Sequence, residues 1–337
     1  MFDGKFKFLD GQNISPQKVA FNTYPRSGNS MLRRFIEQVS GITTGSTVSL
    51  HTATSLQMMG LMGESITDDR TWIVKAHHPF QLPGANKFTS NKVIVCVRNP
   101  LDVMPSWASL CNTINHAAKP EFEYEEDYPG WWDWFVKKHI KGMRDYFDVA
   151  IRHCTVEGKN PMYICRYEDL LVQPKEELMK LFAFLLDEED LTGTNCERRI
   201  DEVVAMGSGA SLIYKLKNTT GKFNAQAKRY NEEQIEYIKE TLGSQLYFFG
   251  YANHPEEENS TAFFDFADHK PENVEQYYGF RKLNEDSMKE VISPDRPVKK
   301  YHINTDVFRD VLDEEDLEKI QNPCKDYARK TMLNKQN

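Results

Sequence analysis

The 337-residue chain is notable first for what it lacks. No apolar run approaches the roughly 18–20 residues that a bilayer-crossing helix needs. The N-terminal MFDGKFKFLDGQ holds no continuous apolar stretch, so no secretory leader is expected. The six cysteines are scattered and none forms a CxxC pair. Two of them, Cys96 and Cys165, lie inside apolar runs, where a thiol acts as a small hydrophobe. A reducing, cytoplasmic setting is therefore expected, with no disulfide framework. No residues cluster with metal-ligand spacing, so no metal is expected. Basic excess is also missing: 42 Lys and Arg stand against 50 Asp and Glu, net −8. A nucleic-acid binder needs a basic field to displace counterions, so nucleic acid is not an expected partner. No internal repeat and no GxxxxGK[ST] loop are present.

The acidity is uneven. Residues 252–337 carry 19 acids and 13 bases, whereas the first 251 residues are nearly neutral, with 31 acids and 29 bases. The texture also changes after Tyr251, where LYFFGY gives way to HPEEENSTAFFDF. The expected division is a short lead-in over 1–17, a folded domain over 18–251, and an acidic extension over 252–337. That extension is the candidate surface for a protein assembly partner.

Within the domain, four short apolar runs read as buried strands: Val19–Tyr24, Trp72–Ala76, Lys92–Val97 and Met162–Tyr167. Helical periodicity appears over Met31–Val39, Leu101–Leu110, Trp131–Cys154, Lys175–Leu186 and Asn231–Thr241. Continuous apolar strands alternating with helices predict an α/β fold, a central parallel sheet covered by helices on both faces. Such sheets bind ligands at the C-terminal ends of their strands.

The strand ends carry the chemistry. After the first strand comes Pro25-Arg26-Ser27-Gly28-Asn29-Ser30, then a helix. A Gly-containing turn feeding a helix N-terminus aims free backbone N–H groups, from Gly28 to Met31, at an anion. The bland alternative is an ordinary strand–helix turn capped by Ser27 or Asn29. The second strand ends in Lys75-Ala76-His77-His78-Pro79, and strand alternation puts Lys75 and His77 on one face. A histidine there is a candidate general base; taken alone, a His pair before a proline is more often a capping or surface feature. The third strand ends in Arg98-Asn99-Pro100-Leu101-Asp102, with Ser106 further along. Asn99 then Pro100 suits a helix start, and Arg98 beside it suits a second phosphate or a salt bridge to Asp102. The fourth ends in Arg166-Tyr167-Glu168-Asp169. The aromatics Tyr124, Tyr128, Trp131, Trp132 and Trp134 admit two readings, an acceptor pocket or the domain core.

Taken in order, these segments resemble the sulfotransferases that use 3′-phosphoadenosine 5′-phosphosulfate, over roughly residues 18–251. Thr23-Tyr24-Pro25-Arg26-Ser27-Gly28-Asn29-Ser30 is similar to the family's phosphosulfate loop, TYPKSGTT. Lys75-Ala76-His77-His78-Pro79 is similar to its KTHLP segment, and Arg98 to Ser106 match RNxxDxxxS in spacing. Tyr167-Glu168-Asp169 matches the YED segment, and Lys217 to Phe223 loosely resemble the segment that closes over the nucleotide. The resemblance implies a P-loop-like α/β fold and sulfuryl transfer from that donor to a small-molecule, glycan or protein acceptor. It implies His77 as base and Arg26 and Lys75 on the transferred group. It implies Arg98 and Ser106 on the 3′-phosphate, Tyr167 near adenine, and Lys217 and Lys222 in the closing segment. The chain departs from the family pattern in having Arg26 for the loop lysine and Met31 for the aromatic that follows it. A catalytically inactive scaffold or nucleotide-sensing subunit is the rival expectation.

Overall fold

The computed structural model describes residues 6–9, 18–48, 56–57, 60–79, 85–113, 120–155, 161–206 and 226–251. The acidic extension and the candidate residues Lys217 and Lys222 lie outside the described residues.

Valine- and isoleucine-rich runs form the sheet, because β-branched side chains pack well on a pleated surface. The strands are β1 (Val19–Thr23), β2 (Gly45–Ser46), β3 (Ile73–Ala76), β4 (Lys92–Val97) and β5 (Met162–Arg166). Their order in space is β2-β3-β1-β4-β5, and every pairing is parallel. Central β1 pairs with β3 on one side and β4 on the other; the chain runs from β1 out to β2, returns through β3, and crosses over to β4 and β5 on the other side. The segment after β1 therefore sits where the strand order reverses, the ligand-binding crevice of open α/β sheets.

Both faces are covered, as the apolar runs predicted. Val19, Phe21, Ile73, Ile94, Cys96, Tyr163 and Cys165 pack against α1 (Asn29–Ser40), α6 (Pro174–Leu186) and α7 (Asn195–Met206). Val93, Val95, Val97 and Ile164 pack on the other face against α2 (Pro100–Thr113), α4 (Pro129–Thr155) and α8 (Glu232–Phe248). Two short helices, α3 (Tyr124–Asp127) and α5 (Tyr167–Val172), precede α4 and follow β5. Among the described residues no helix is long and apolar enough to cross a membrane.

The aromatic run belongs to the core rather than to a pocket. Tyr124, Trp131, Trp132 and Phe135 are buried, and Tyr124 stacks on Trp132 with centroids 5.7 Å apart. The Trp132 indole N–H donates to the Arg229 carbonyl at 2.8 Å, satisfying its one polar atom. Phe8, Met62, Val172, Leu186 and Met206 are the large apolar side chains most exposed among the described residues. The apolar run before Tyr251 continues the last helix as far as Phe248. Helix α7 carried a sequence signal that periodicity missed. The Glu197 N–H donates to Thr194 Oγ1 at 3.3 Å, and the Gly193 N–H donates to Glu197 at 2.7 Å. That is the pattern of a capping box displaced by one residue.

Candidate active site

The turn after β1 is shaped by two residues in the left-handed region, Arg26 (φ 70°) and Gly28 (φ 91°). Gly28 also has no room for a side chain. A Cβ built on it would stand 2.4 Å from Cδ2 of Tyr167. The turn closes with the Ser27 N–H donating to the Tyr24 carbonyl at 3.2 Å. Helix α1 then starts at Asn29 with no side-chain cap, so its first N–H groups face the crevice unclaimed by a capping oxygen. Of the loop residues, Ser27 and Asn29 are buried and Ser30 is half-buried, while Met31 packs its side chain into the core with Leu32 and Phe35. Only the backbone of Met31 is thus available to an anion. Beneath the loop, the Cys96 thiol donates to the Ser27 carbonyl at 3.0 Å.

At the end of β3, Lys75 is buried and lies in register with Phe21 of β1 and Ser46 of β2. Below it runs a buried polar network. Arg33 ion-pairs with Glu64, both side chains being fully inaccessible, and donates from Nε to Thr44 Oγ1 at 2.8 Å. Burial pushes the Lys75 ammonium below its usual pKa and Glu64 opposes this, while the Arg33 charge adds to the lowering. Burial would raise the Glu64 carboxyl, but Arg33 and Lys75 outweigh it and hold the group below the usual range.

His77 follows two residues later. Its Nδ1 lies 2.7 Å from the Thr23 carbonyl oxygen, which can only accept, so Nδ1 carries the proton. Nε2 then holds the lone pair, which is the tautomer a general base needs. Burial, with the nearby Lys75 charge, pushes the imidazole down to about 3, so it stays neutral at ordinary pH. The Asn29 amide N–H donates to Thr23 Oγ1 at 3.0 Å and ties the loop to this carbonyl-bearing residue. On the other side of the strand, the Asn22 amide donates to the His78 carbonyl at 2.9 Å and pins the segment. Sequence reasoning did not single out Thr23, Asn22 or Cys96 as site residues. The first acts on His77 through its main chain, and no residue type advertises that.

The ends of β4 and β5 supply a second cationic group. Arg98 lays its guanidinium 4.4 Å from the centroid of the Tyr167 ring and donates from Nη1 to the Arg26 carbonyl at 3.0 Å. Arg26 in turn donates from Nε to Ser106 Oγ at 2.8 Å. Arg26, Arg98, Ser106 and Tyr167 are therefore one cluster, and His77, held on Thr23 and sensing the Lys75 charge, forms a second group with that lysine. The sequence pattern set Arg26 with Lys75 and His77; in the structure its side chain reaches Ser106.

Several atoms here are placed to receive a polar ligand. Ser27 Oγ, Asn29 Oδ1 and Arg98 Nε are buried without a hydrogen-bond partner. Buried polar groups are normally paired. Ser27 and Arg98 are donors, as an anion requires, and exchanging the two ends of the Asn29 amide would make its free atom a donor as well. Together with the uncapped start of α1, these donors fit a phosphate-bearing nucleotide. Among the described residues, no group of three or more His, Cys, Asp and Glu is gathered as a metal would need.

Comparison with known proteins places this site in context. A "WSCD family member GA21586" of Drosophila pseudoobscura pseudoobscura is 26% identical over 183 residues, 54% of this chain and 54% of that protein. Mouse "Sulfotransferase 1B1" is 26% identical over 198 residues, 52% of this chain and 62% of that protein. The chain thus spans about half to three fifths of the length of these curated relatives. Among solved structures, mouse sulfotransferase SULT7A1 complexed with PAP is similar over 68% of this chain and 84% of its own, at 15% identity and TM-score 0.41. A retinol dehydratase, solved with androsterone and inactive cofactor PAP, is similar over 69% of this chain and 82% of its own, at 15% identity and TM-score 0.40. The model of the sulfotransferase domain matches residues 16–206, more than half of the chain and the whole span from the loop after β1 to the end of α7, and the chain belongs to that family.

Proposed function

We propose that this protein transfers a sulfuryl group from 3′-phosphoadenosine 5′-phosphosulfate to an acceptor hydroxyl or amine. The observation that carries the reading is the pairing at one sheet edge of a neutral, tautomer-fixed His77 with a separate Arg98–Tyr167–Ser106 cluster. One group suits proton removal, and the other suits a second phosphate and an adenine some distance away.

In the step itself, a new bond forms between the acceptor oxygen or nitrogen and sulfur. The bond between sulfur and the bridging phosphate oxygen breaks, and its electron pair leaves with adenosine 3′,5′-bisphosphate. The acceptor proton passes to His77 Nε2. The imidazolium that forms is supported by the Thr23 carbonyl facing its Nδ1–H. Lys75 and the backbone N–H groups at the start of α1 offset negative charge growing on the departing oxygen. Arg98 and Ser106 hold the 3′-phosphate, with Tyr167 beside the base, so that the sulfuryl group lies in line with the acceptor. Arg26, anchored on Ser106, joins the two ends of the site. Lys217 and Lys222 complete the reading as residues of a segment over the nucleotide.

The test pairs binding with turnover. Calorimetric titration with adenosine 3′,5′-bisphosphate should show binding that Arg98→Ala abolishes. His77→Ala should lower donor consumption by about 10²–10⁴-fold while leaving nucleotide binding in place. Nucleotide binding with no turnover across acceptor classes would support the rival, a sensing or scaffold subunit, and no binding at all would refute the donor assignment.

A further inference from the structure

Glu168 is buried at the start of α5, directly after Tyr167, and the reaction above gives it no task. Each of its carboxylate oxygens is engaged. Oε1 accepts the backbone N–H of Asn99 at 2.9 Å, and Oε2 accepts the Tyr251 hydroxyl at 2.8 Å. Asn99 opens α2: its Oδ1 accepts the Leu101 N–H at 3.0 Å, and its carbonyl accepts the N–H groups of Asp102 and Val103, each at 3.0 Å. Arg98 is the residue immediately before it. Two consecutive residues of α5 thus hold Arg98 from two directions. Tyr167 supports the guanidinium, and Glu168 fixes the main chain through Asn99.

The other side of the same helix start grips the end of α8. Arg166 donates from Nη1 to the Gly250 carbonyl at 2.8 Å, and its guanidinium lies 5.6 Å from the centroid of the Tyr251 ring. Asp169 holds Arg166 through two hydrogen bonds of 2.7 and 2.8 Å. Tyr251, fully buried, consequently delivers its hydroxyl to Glu168 from a fixed position. The chain of contacts runs from Tyr251 to Glu168 to Asn99, and by the next peptide bond to Arg98.

We propose that Glu168 is a positioning residue for the 3′-phosphate contact, setting Arg98 through the Asn99 N–H, and that Tyr251 orients Glu168 for this task. The proposal rests on the reading that Arg98 meets the 3′-phosphate. Removing the carboxylate takes away the oxygen that accepts the Asn99 N–H beside Arg98, and the arm that carries the guanidinium loses that anchor. A glutamine keeps an acceptor oxygen for Asn99 and offers an amide to the Tyr251 oxygen, so it restores the geometry without the charge.

The experiment titrates the full chain with adenosine 3′,5′-bisphosphate and with adenosine 5′-monophosphate, which lacks the 3′-phosphate. Glu168→Ala should weaken the bisphosphate by about tenfold and the monophosphate by less than about twofold. Tyr251→Phe should shift the same ratio in the same direction by about threefold. Glu168→Gln should restore the wild-type ratio. A purely structural role would weaken both nucleotides alike, and that result overturns the proposal, as does a Gln variant no better than Ala. Tyr251→Phe removes one hydroxyl and keeps the buried ring, so it decides the matter even if Glu168→Ala does not fold. Wild-type protein that binds both nucleotides equally refutes the Arg98 assignment and the proposal together. Wild-type preference for the bisphosphate, retained undiminished in Glu168→Ala and Tyr251→Phe, overturns the proposal alone.

Discussion

Acidification should leave the activity of this protein almost untouched down to about pH 5, and the reason lies in the burial of one histidine. A histidine with the usual pKa of about 6.5 is about 91% neutral at pH 7.5 and about 9% neutral at pH 5.5, so a reaction using it as base slows about tenfold. His77 is held neutral by burial and by the Lys75 charge, with its pKa at about 3. At pH 5.5 a group with that pKa is still more than about 99% unprotonated. The assay is kcat/KM for donor consumption between pH 4.5 and 8, because that ratio reports groups of the free enzyme. The profile should be flat on its acid side until below pH 5. The limb of kcat should lie at higher pH, since bound anionic donor favours the imidazolium. Stability must be followed in parallel, and its sign is fixed by the same shift. The folded pKa lies below the unfolded one, so the unfolded chain takes up protons first and stability declines as pH falls below about 6.5. At pH 5.5 the cost is about 1.4 kcal/mol for His77. His139 adds a similar amount, because burial also holds it down at about 3. An inflection of kcat/KM between pH 6 and 7 in folded protein would refute the neutral His77 base.

Gly28→Ala should cost about 1–3 kcal/mol of stability and most nucleotide affinity, since the new methyl meets the Tyr167 ring in a backbone conformation that alanine resists. Thermal unfolding and calorimetry would check both. Glu64→Ala should destabilise by about 3–5 kcal/mol, because it strands the Arg33 charge in a fully inaccessible site; a loss below about 1 kcal/mol in urea unfolding would contradict that account. Glu177 accepts a 2.7 Å hydrogen bond from the Tyr163 hydroxyl, and burial raises its pKa to about 7. Its folded pKa exceeds the unfolded value of about 4.5, so stability is lost as pH rises from about 4.5 to about 7 and levels off above that. Glu177→Gln should therefore gain on the wild type by up to about 3 kcal/mol between pH 5 and 8.5, and a pH-independent difference would refute the shift.

Much of this was legible in the chain alone. Lys92–Val97 is a buried strand because six consecutive residues suit a sheet covered on both faces, and the structure reproduces its limits. The turn Pro25–Ser30 and the start of α2 at Pro100 are local events governed by φ preferences and capping, so a short segment determines them. Strand limits shifted by a residue where a helix begins at once, as at Tyr167, which opens α5 instead of ending β5. Helix α7 and the two-residue β2 were missed because each carries too few periodic apolar positions to register.

The sequence by itself determined which residue types stand at the strand ends and in what order. Only the tertiary structure decided how they are shared out. Arg26 lies 80 positions from Ser106, and the two meet because β1 and β4 are neighbours in the sheet. The tautomer of His77 depends on a carbonyl 54 positions earlier, and the anchoring of Arg98 on Glu168 and Tyr251 depends on where α5 and α8 end. Local sequence encodes dihedral preference and burial pattern. Hydrogen bonds between distant main-chain and side-chain atoms exist only once parallel pairing has fixed the strands side by side, and those bonds give this site its tautomer and its geometry, while burial in the same fold keeps His77 neutral.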